Sequence, residues 1–290
     1  MNSSNGFCDS PDLALFDRKR AERQNPRGGL PGKRGVMKAT ALMVAFSLVL
    51  FAPASFGREE AAAPTPEKIS EAAQISRRAD SMIGRKLYED AVIEYRKALA
   101  ITPRDPVIHN KLGIAYHQLQ SLDLAKKQYE RARKFNPLYH EAWNNLGTVH
   151  YSLKKYRRAV KDYKKALSIN PEAATTHHNL GAAYFAMKKY EEGFASYAEA
   201  FRLDPTILDR ISTRGTIIRT AELNQGIQNF YLAKLFATNG QTEKALTYLL
   251  KALETGFSDY EKISKEPAFK VLAQDERLTR MISERREASR

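Results

Sequence analysis

Cysteine is almost missing from this chain of 290 residues. The single one, Cys8, has no partner, so no intrachain disulfide can form. Long apolar runs are missing too. The longest lies around residues 41–52, about 12 residues, short of the roughly 20 a helix needs to span a bilayer. No glycine-rich phosphate loop and no Ser/His/acid set in motif context occurs. The motif-bearing enzyme classes are therefore excluded, and the chain reads as a non-enzyme with no cofactor. Acidic charge is in deficit, with 33 Asp and Glu against 47 Lys and Arg and a formal net charge of +14.

What is present is a repeat. Pro103, Pro137, Pro171 and Pro205 stand 34 residues apart. Ala98, Ala132, Ala166 and Ala200 keep the same step, as do Tyr95, Tyr129, Tyr163 and Tyr197, and Gly113, Gly147 and Gly181 with Ala79 ahead of them. A period of this length means stacked helical hairpins. The small residues let helices approach: Gly147 and Ala159 within a hairpin, Ala166 toward the next. Leu146 and Tyr163 fill the space between them. Each proline ends a helix, lacking an N–H and clashing with the preceding turn, and the last three follow Asn136, Asn170 and Asp204, residues that favour turns. A hairpin of this kind buries its apolar face only against its neighbours, so stability is roughly a sum of nearest-neighbour terms.

The order of these residues resembles the tetratricopeptide repeat family, whose pattern runs aromatic, Leu-Gly, Tyr, Ala, aromatic, Ala, Pro. The third copy has Trp143, Leu146-Gly147, His150, Ala159, Tyr163, Ala166 and Pro171. The second has His109, Leu112-Gly113, Tyr116, Ala125, Tyr129, Ala132 and Pro137, and the fourth His177, Leu180-Gly181, Tyr184, Gly193, Tyr197, Ala200 and Pro205. The first copy departs from the pattern, with Arg78-Ala79 for Leu-Gly and Met82 for Tyr, as a terminal copy does when one face meets solvent. The resemblance implies an all-α, right-handed α-solenoid of about five hairpins. A C-terminal helical cap closes it.

Ahead of the array, Met37-Lys38, the apolar ALMVAFSLVLFA and the small residues APASFG read as a secretory signal peptide over residues 37–57, cleaved after Ala54 or Gly57. The alternative is an uncleaved inner-membrane anchor through residues 39–57. Residues 1–36 have no periodicity. They are an untranslated extension if synthesis starts at Met37, or a disordered tail if it starts at Met1. Removal of residues 1–57 leaves no cysteine, which suits an oxidising compartment. Export, and a periplasmic location, is the expectation.

Along the remainder, the Ala/Pro/Glu bias of residues 58–70 reads as a linker. Hairpin copies occupy 71–105, 106–139, 140–173, 174–207 and 226–259. The last is out of step, since Ala252 lies 52 residues after Ala200, one period plus 18. An insertion at 208–225 therefore precedes the fifth copy and reads as a loop. Residues 260–290 form capping helices anchored by Ile263, Phe269, Leu272, Leu278 and Met281. The stretch from the insertion to this cap resembles the end of bacterial repeat proteins of unknown role.

By resemblance, the first helix of each hairpin lines a concave groove. Asn110, Lys111, Asn144, Asn145, His178 and Asn179 then face it, with Thr148, Tyr151 and Phe185 one or two turns on. Side-chain amides carry both donors and acceptors and can pair with the backbone of an extended peptide. The plainer reading is an Asn row inherited with the family. The chaperone-tail clamp of the family needs Lys and Arg at places held here by Ser76, Asn145 and Thr175, so that ligand is not expected. Histidines 109, 150 and 177 take core places, and His117 with His178 lacks the carboxylate of a metal site. Basic clusters at 126–134, 154–165 and 188–189 fall on turns and second helices. They form either a solvated outer face or a contact for an anionic envelope surface or nucleic acid. The expected role is a protein-interaction scaffold taking a protein or peptide segment in the groove. The alternative is an anion- or nucleic-acid-binding module using the convex face.

Overall fold

The computed structural model describes residues 63–208 and 225–288. The extension 1–36, the signal segment 37–57 and all but the ends of the insertion lie outside the described residues. Every described segment of regular structure is helical. The first hairpin pairs α1 (Pro66–Gly84) with α2 (Tyr88–Ile101), and the second α3 (Pro106–Gln118) with α4 (Leu122–Phe135). The third pairs α5 (His140–Ser152) with α6 (Tyr156–Ile169), and the fourth α7 (Ala174–Ala186) with α8 (Tyr190–Leu203). The fifth pairs α9 (Gln225–Thr238) with α10 (Thr242–Glu254). Each helix packs on the next, and first helices also touch one another, α3 on α5 and α5 on α7. This is the contact pattern of an α-solenoid.

The turn inside each hairpin is built the same way. Lys86, Gln120, Lys154 and Lys188 adopt left-handed conformations, with φ of 62°, 57°, 57° and 60°, and Gly240 takes the place in the fifth hairpin with φ of 72°. The residue after each one donates its N–H five residues back: Leu87 to Met82, Ser121 to Tyr116, Lys155 to His150, Lys189 to Tyr184 and Gln241 to Phe236, at 2.8–2.9 Å. That is the Schellman closure, which satisfies a helix's last carbonyls and usually places glycine at the left-handed position. A Cβ in that conformation is strained. Gln120→Gly is therefore expected to stabilise the stack by about 0.5–1 kcal/mol, read as a shift of the urea midpoint at constant slope.

The turns that follow hairpins two, three and four use the residue before the proline. The Oδ1 atoms of Asn136, Asn170 and Asp204 accept from the backbone N–H groups of Leu138, Glu172 and Thr206, at 3.0, 3.2 and 2.9 Å. Inside a hairpin, the glycine of the first helix faces the tyrosine of the second. A Cβ on Gly113, Gly147 or Gly181 would lie 2.4–2.6 Å from a ring carbon of Tyr129, Tyr163 or Tyr197. Those rings are buried, as are Ala125, Ala159, Ala166 and Ala200.

The N-terminal boundary corrects the sequence reading. Residues 66–70, assigned above to a linker, form the first turns of α1. Thr65 caps it, accepting from the Lys68 N–H at 3.4 Å, and Pro66 sits at the first helical position, where its missing N–H is no loss. Residues 66–70 are thus a helix start, not a spacer.

At the other end, α11 (Tyr260–Lys265), a 3-10 helix (Pro267–Leu272) and α12 (Glu276–Ala288) follow the fifth hairpin. Ile263, Phe269, Leu272 and Leu278 are buried in one core with α9 and α10. Phe230 is its centre, stacked on Phe257 with ring centroids 4.6 Å apart and edge-on to Phe269 at 5.4 Å.

Candidate functional site

The asparagines predicted to line the groove bond to one another. Asn179 Nδ2 donates to Asn144 Oδ1 at 3.0 Å, Asn144 Nδ2 to Asn145 Oδ1 at 3.2 Å, and Asn145 Nδ2 to Asn110 Oδ1 at 2.9 Å. Asn110 Nδ2 then reaches the Tyr139 hydroxyl at 3.4 Å. The donations from Asn179 and Asn145 each step back one hairpin, Asn144 to Asn145 joins them within α5, and Asn110 donates forward to the residue that caps α5. Such a chain ties three first helices together, each link adding about 1 kcal/mol net and polarising the next. Lys111 continues the link to the first hairpin, its Nζ 2.7 Å from Asp80 Oδ2, while the Tyr95 hydroxyl donates to Asp80 Oδ1 at 2.6 Å.

Most of the predicted groove residues are interior. Asn110, Thr148, Tyr151, His178, Asn179 and Phe185 are buried, and only Lys111, Asn144 and Asn145 are half-exposed. Each correction has a packing cause. Thr148 accepts from the buried Tyr163 hydroxyl at 3.3 Å. Tyr151 lies edge-on to Tyr156, with centroids 5.3 Å apart. The His178 ring stacks on Tyr197 at 5.0 Å. Phe185 wedges between hairpins four and five, against Tyr197 and Tyr231 at 5.1 and 5.5 Å. Its ring fills the space a Cβ on residue 193 would need, 2.7 Å away, which is why glycine replaces the repeat's alanine there.

The histidines have structural work that the sequence reading did not find. His109 Nε2, Trp143 Nε1 and His177 Nε2 lie 3.0, 3.0 and 2.8 Å from the carbonyl oxygens of Pro103, Pro137 and Pro171. One ring N–H per copy thus closes the turn between hairpins. The signal was present, since all three side chains have a ring N–H and each follows its proline by six residues. His150 Nδ1 makes a buried hydrogen bond to Asp162 Oδ2 at 2.5 Å. Burial pushes His117 and His178 down to about 4, so both are neutral at pH 7. Burial also pushes the Tyr129, Tyr163 and Tyr197 hydroxyls up.

The exposed cations gather where the sequence placed them, on hairpin turns and second helices. Lys154, Lys155, Arg157 and Arg158 are exposed around the third hairpin's turn, and Lys161, Lys164 and Lys165 further along α6. Among the described residues, no helix is long and apolar enough to cross a membrane.

Helix pairs repeating every 34 residues, closed by the same turn and the same Gly–Tyr contact, define a helical-hairpin repeat protein. The repeats within residues 85–207 match the tetratricopeptide family. Models described as tetratricopeptide or TPR repeats match residues 85–120, 107–137, 140–172 and 174–207. No curated protein matches the chain. Among solved structures, one titled for the functional characterization of Pseudomonas aeruginosa pilF is 19% identical, covers 77% of this chain and 99% of its own, and superposes with a TM-score of 0.51. A thermophilic TPR protein of Thermus thermophilus is 20% identical over 66% of this chain and 94% of its own, with a TM-score of 0.47. These likenesses show the fold alone. Repeats of this family generally act as non-catalytic scaffolds for protein–protein interaction, and that is the class of role the fold supports.

Proposed function

We propose that this protein docks an extended peptide or protein segment along the first helices of hairpins two to four, and that it does so in the cell envelope after export. One observation carries the docking. Asn144 and Asn145 are half-exposed, and within the amide chain each uses one donor and one acceptor. An amide has two donor hydrogens and two acceptor lone pairs, so each keeps one of each for a passing backbone. The amide chain holds those groups at fixed spacing, which lowers the ordering cost of binding. Export is supported by the Met37–Gly57 pattern of one basic residue, an apolar run and small residues.

The test is affinity capture from an envelope extract, with the bound segment of the partner mapped by crosslinking. Asn144→Ala with Asn145→Ala is expected to weaken capture by about 1–2 kcal/mol in affinity. The same change breaks links between hairpins, so a control of similar stability loss is needed. Gln128→Ala serves, because Gln128 is buried and, among the described residues, its side chain bonds His109 alone, at 2.8 Å. Equal loss from both variants, or none from the first, would sink the docking proposal. Export is checked by fractionation and by the N-terminal sequence of the purified protein, which should begin after Ala54 or Gly57.

A further inference from the structure

We propose that the cleft between the third and fourth hairpin turns is a binding site for a phosphate-bearing group. This goes beyond the groove reading and does not depend on it. The cleft has a volume of about 680 Å³ and is lined by Lys154, Lys155, Tyr156, Arg157, Arg158 and Met187. Four of these six are cations and none is acidic. Lys188 and Lys189 follow Met187 on the same turn, both exposed.

Lys155, Arg157 and Arg158 keep their charge uncompensated by neighbouring carboxylates. Among the described residues, none lies in ion-pair distance of Lys155, Arg157 or Arg158, although Lys189 pairs with Glu192 at 3.1 Å. The four other second helices of the hairpins all open with acid: Glu89 and Asp90, Asp123, Glu191 and Glu192, and Glu243. Helix α6 alone among these opens without one, and carries Arg157 and Arg158 where the helix dipole disfavours cations. The chain thus places basic residues here against its own helix stability. A bound anion would offset that penalty.

The ligand class follows from the count and kind of cations. Three cations without a carboxylate in ion-pair distance, Lys155, Arg157 and Arg158, call for more than a single carboxylate. A phosphate ester carries close to two negative charges and several acceptor oxygens. Arginine forks match its geometry and lysines add point charges. The Tyr156 ring and the Met187 side chain give an apolar wall for the ester's organic part. A nucleic-acid strand fits less well. The adjoining turn of the second hairpin is Leu119-Gln120-Ser121, without a cation, so the basic surface does not run on as a backbone track toward Arg85 and Lys86.

The test titrates inorganic pyrophosphate into the whole protein by calorimetry and measures cosedimentation with phosphatidylglycerol and phosphatidylcholine vesicles. Three proteins are compared: wild type, Arg157→Gln/Arg158→Gln, and Lys161→Gln/Lys165→Gln. The last removes the same charge from exposed positions of the same helix. Saturable pyrophosphate binding is expected in wild type, weakened about tenfold or more in the arginine variant and only about two- to threefold in the lysine control. The arginine variant should melt no lower than wild type, since it relieves the dipole conflict. Binding to phosphatidylglycerol vesicles that falls in parallel assigns the phosphate to a lipid headgroup; pyrophosphate binding without it assigns a soluble ester. Absence of saturable pyrophosphate binding overturns the site. Equal losses in the two variants do so as well.

Discussion

Gly147→Val is expected to destabilise the stack by about 3 kcal/mol, near the upper end for forcing extra atoms into a packed core. The Cβ alone would lie 2.6 Å from Tyr163 Cε1 and 2.8 Å from Cδ1, and the two further methyl groups enter the same space. The ring cannot step aside: Tyr163 is fully buried, and its hydroxyl is tied to Thr148. Tyr163→Ala alone should cost about 3–5 kcal/mol by leaving a cavity. Together the two changes partly complement each other, because valine fills some of what the ring vacates. The double variant should be less destabilised than the sum by more than about 1 kcal/mol. Gly84→Ala is the control, since a Cβ there meets nothing within 4 Å. Urea denaturation of the four variants reads all of this. Additive losses for Gly147 and Tyr163 would mean the helices separate rather than clash.

The same contact explains how much could be read from the chain alone. Tyr and Gly recur at a fixed step because the close approach of two helices is needed in every hairpin, and a need that repeats leaves a row in the sequence. The stacked architecture was legible for that reason. The amide chain was not. Its links join residues 35 apart, Asn145 to Asn110 and Asn179 to Asn144, one position off the repeat step. That offset comes from the stagger between neighbouring first helices, a tertiary quantity with no local signature. Phe185 and Tyr151 misled for a related reason. A groove-facing place in an idealised repeat becomes interior once the next hairpin brings Tyr231 onto Phe185. The left-handed turn positions were hidden by their side chains, three lysines and a glutamine where glycine would have marked them.

The third hairpin carries a second large expected effect, and it tests how independent the copies are. The slot between residue 150 and residue 162 is filled differently in each copy: Tyr116 and Gln128 in the second, His150 and Asp162 in the third, Tyr184 and Ser196 in the fourth. Only the third forms a buried imidazole–carboxylate hydrogen bond, at 2.5 Å. Asp162→Ser removes the acceptor and leaves the ring N–H without its partner in a largely buried place. The expected loss is about 2–3 kcal/mol, the cost of leaving a buried donor unsatisfied after a bond to a charged group. His150→Tyr alone strands the Asp162 carboxylate instead and should cost at least as much. The double variant His150→Tyr/Asp162→Ser reproduces the fourth copy's pair at the equivalent places. There the serine hydroxyl donates to the carbonyl four residues earlier, Glu192 O at 2.8 Å, and asks nothing of the ring. It should therefore recover most of the loss, to within about 1 kcal/mol of wild type. Recovery means that each hairpin solves this slot internally, as nearest-neighbour stacking requires. A double variant no more stable than Asp162→Ser would mean the histidine pair also supports the adjoining hairpins, and the copies would have to be treated as coupled.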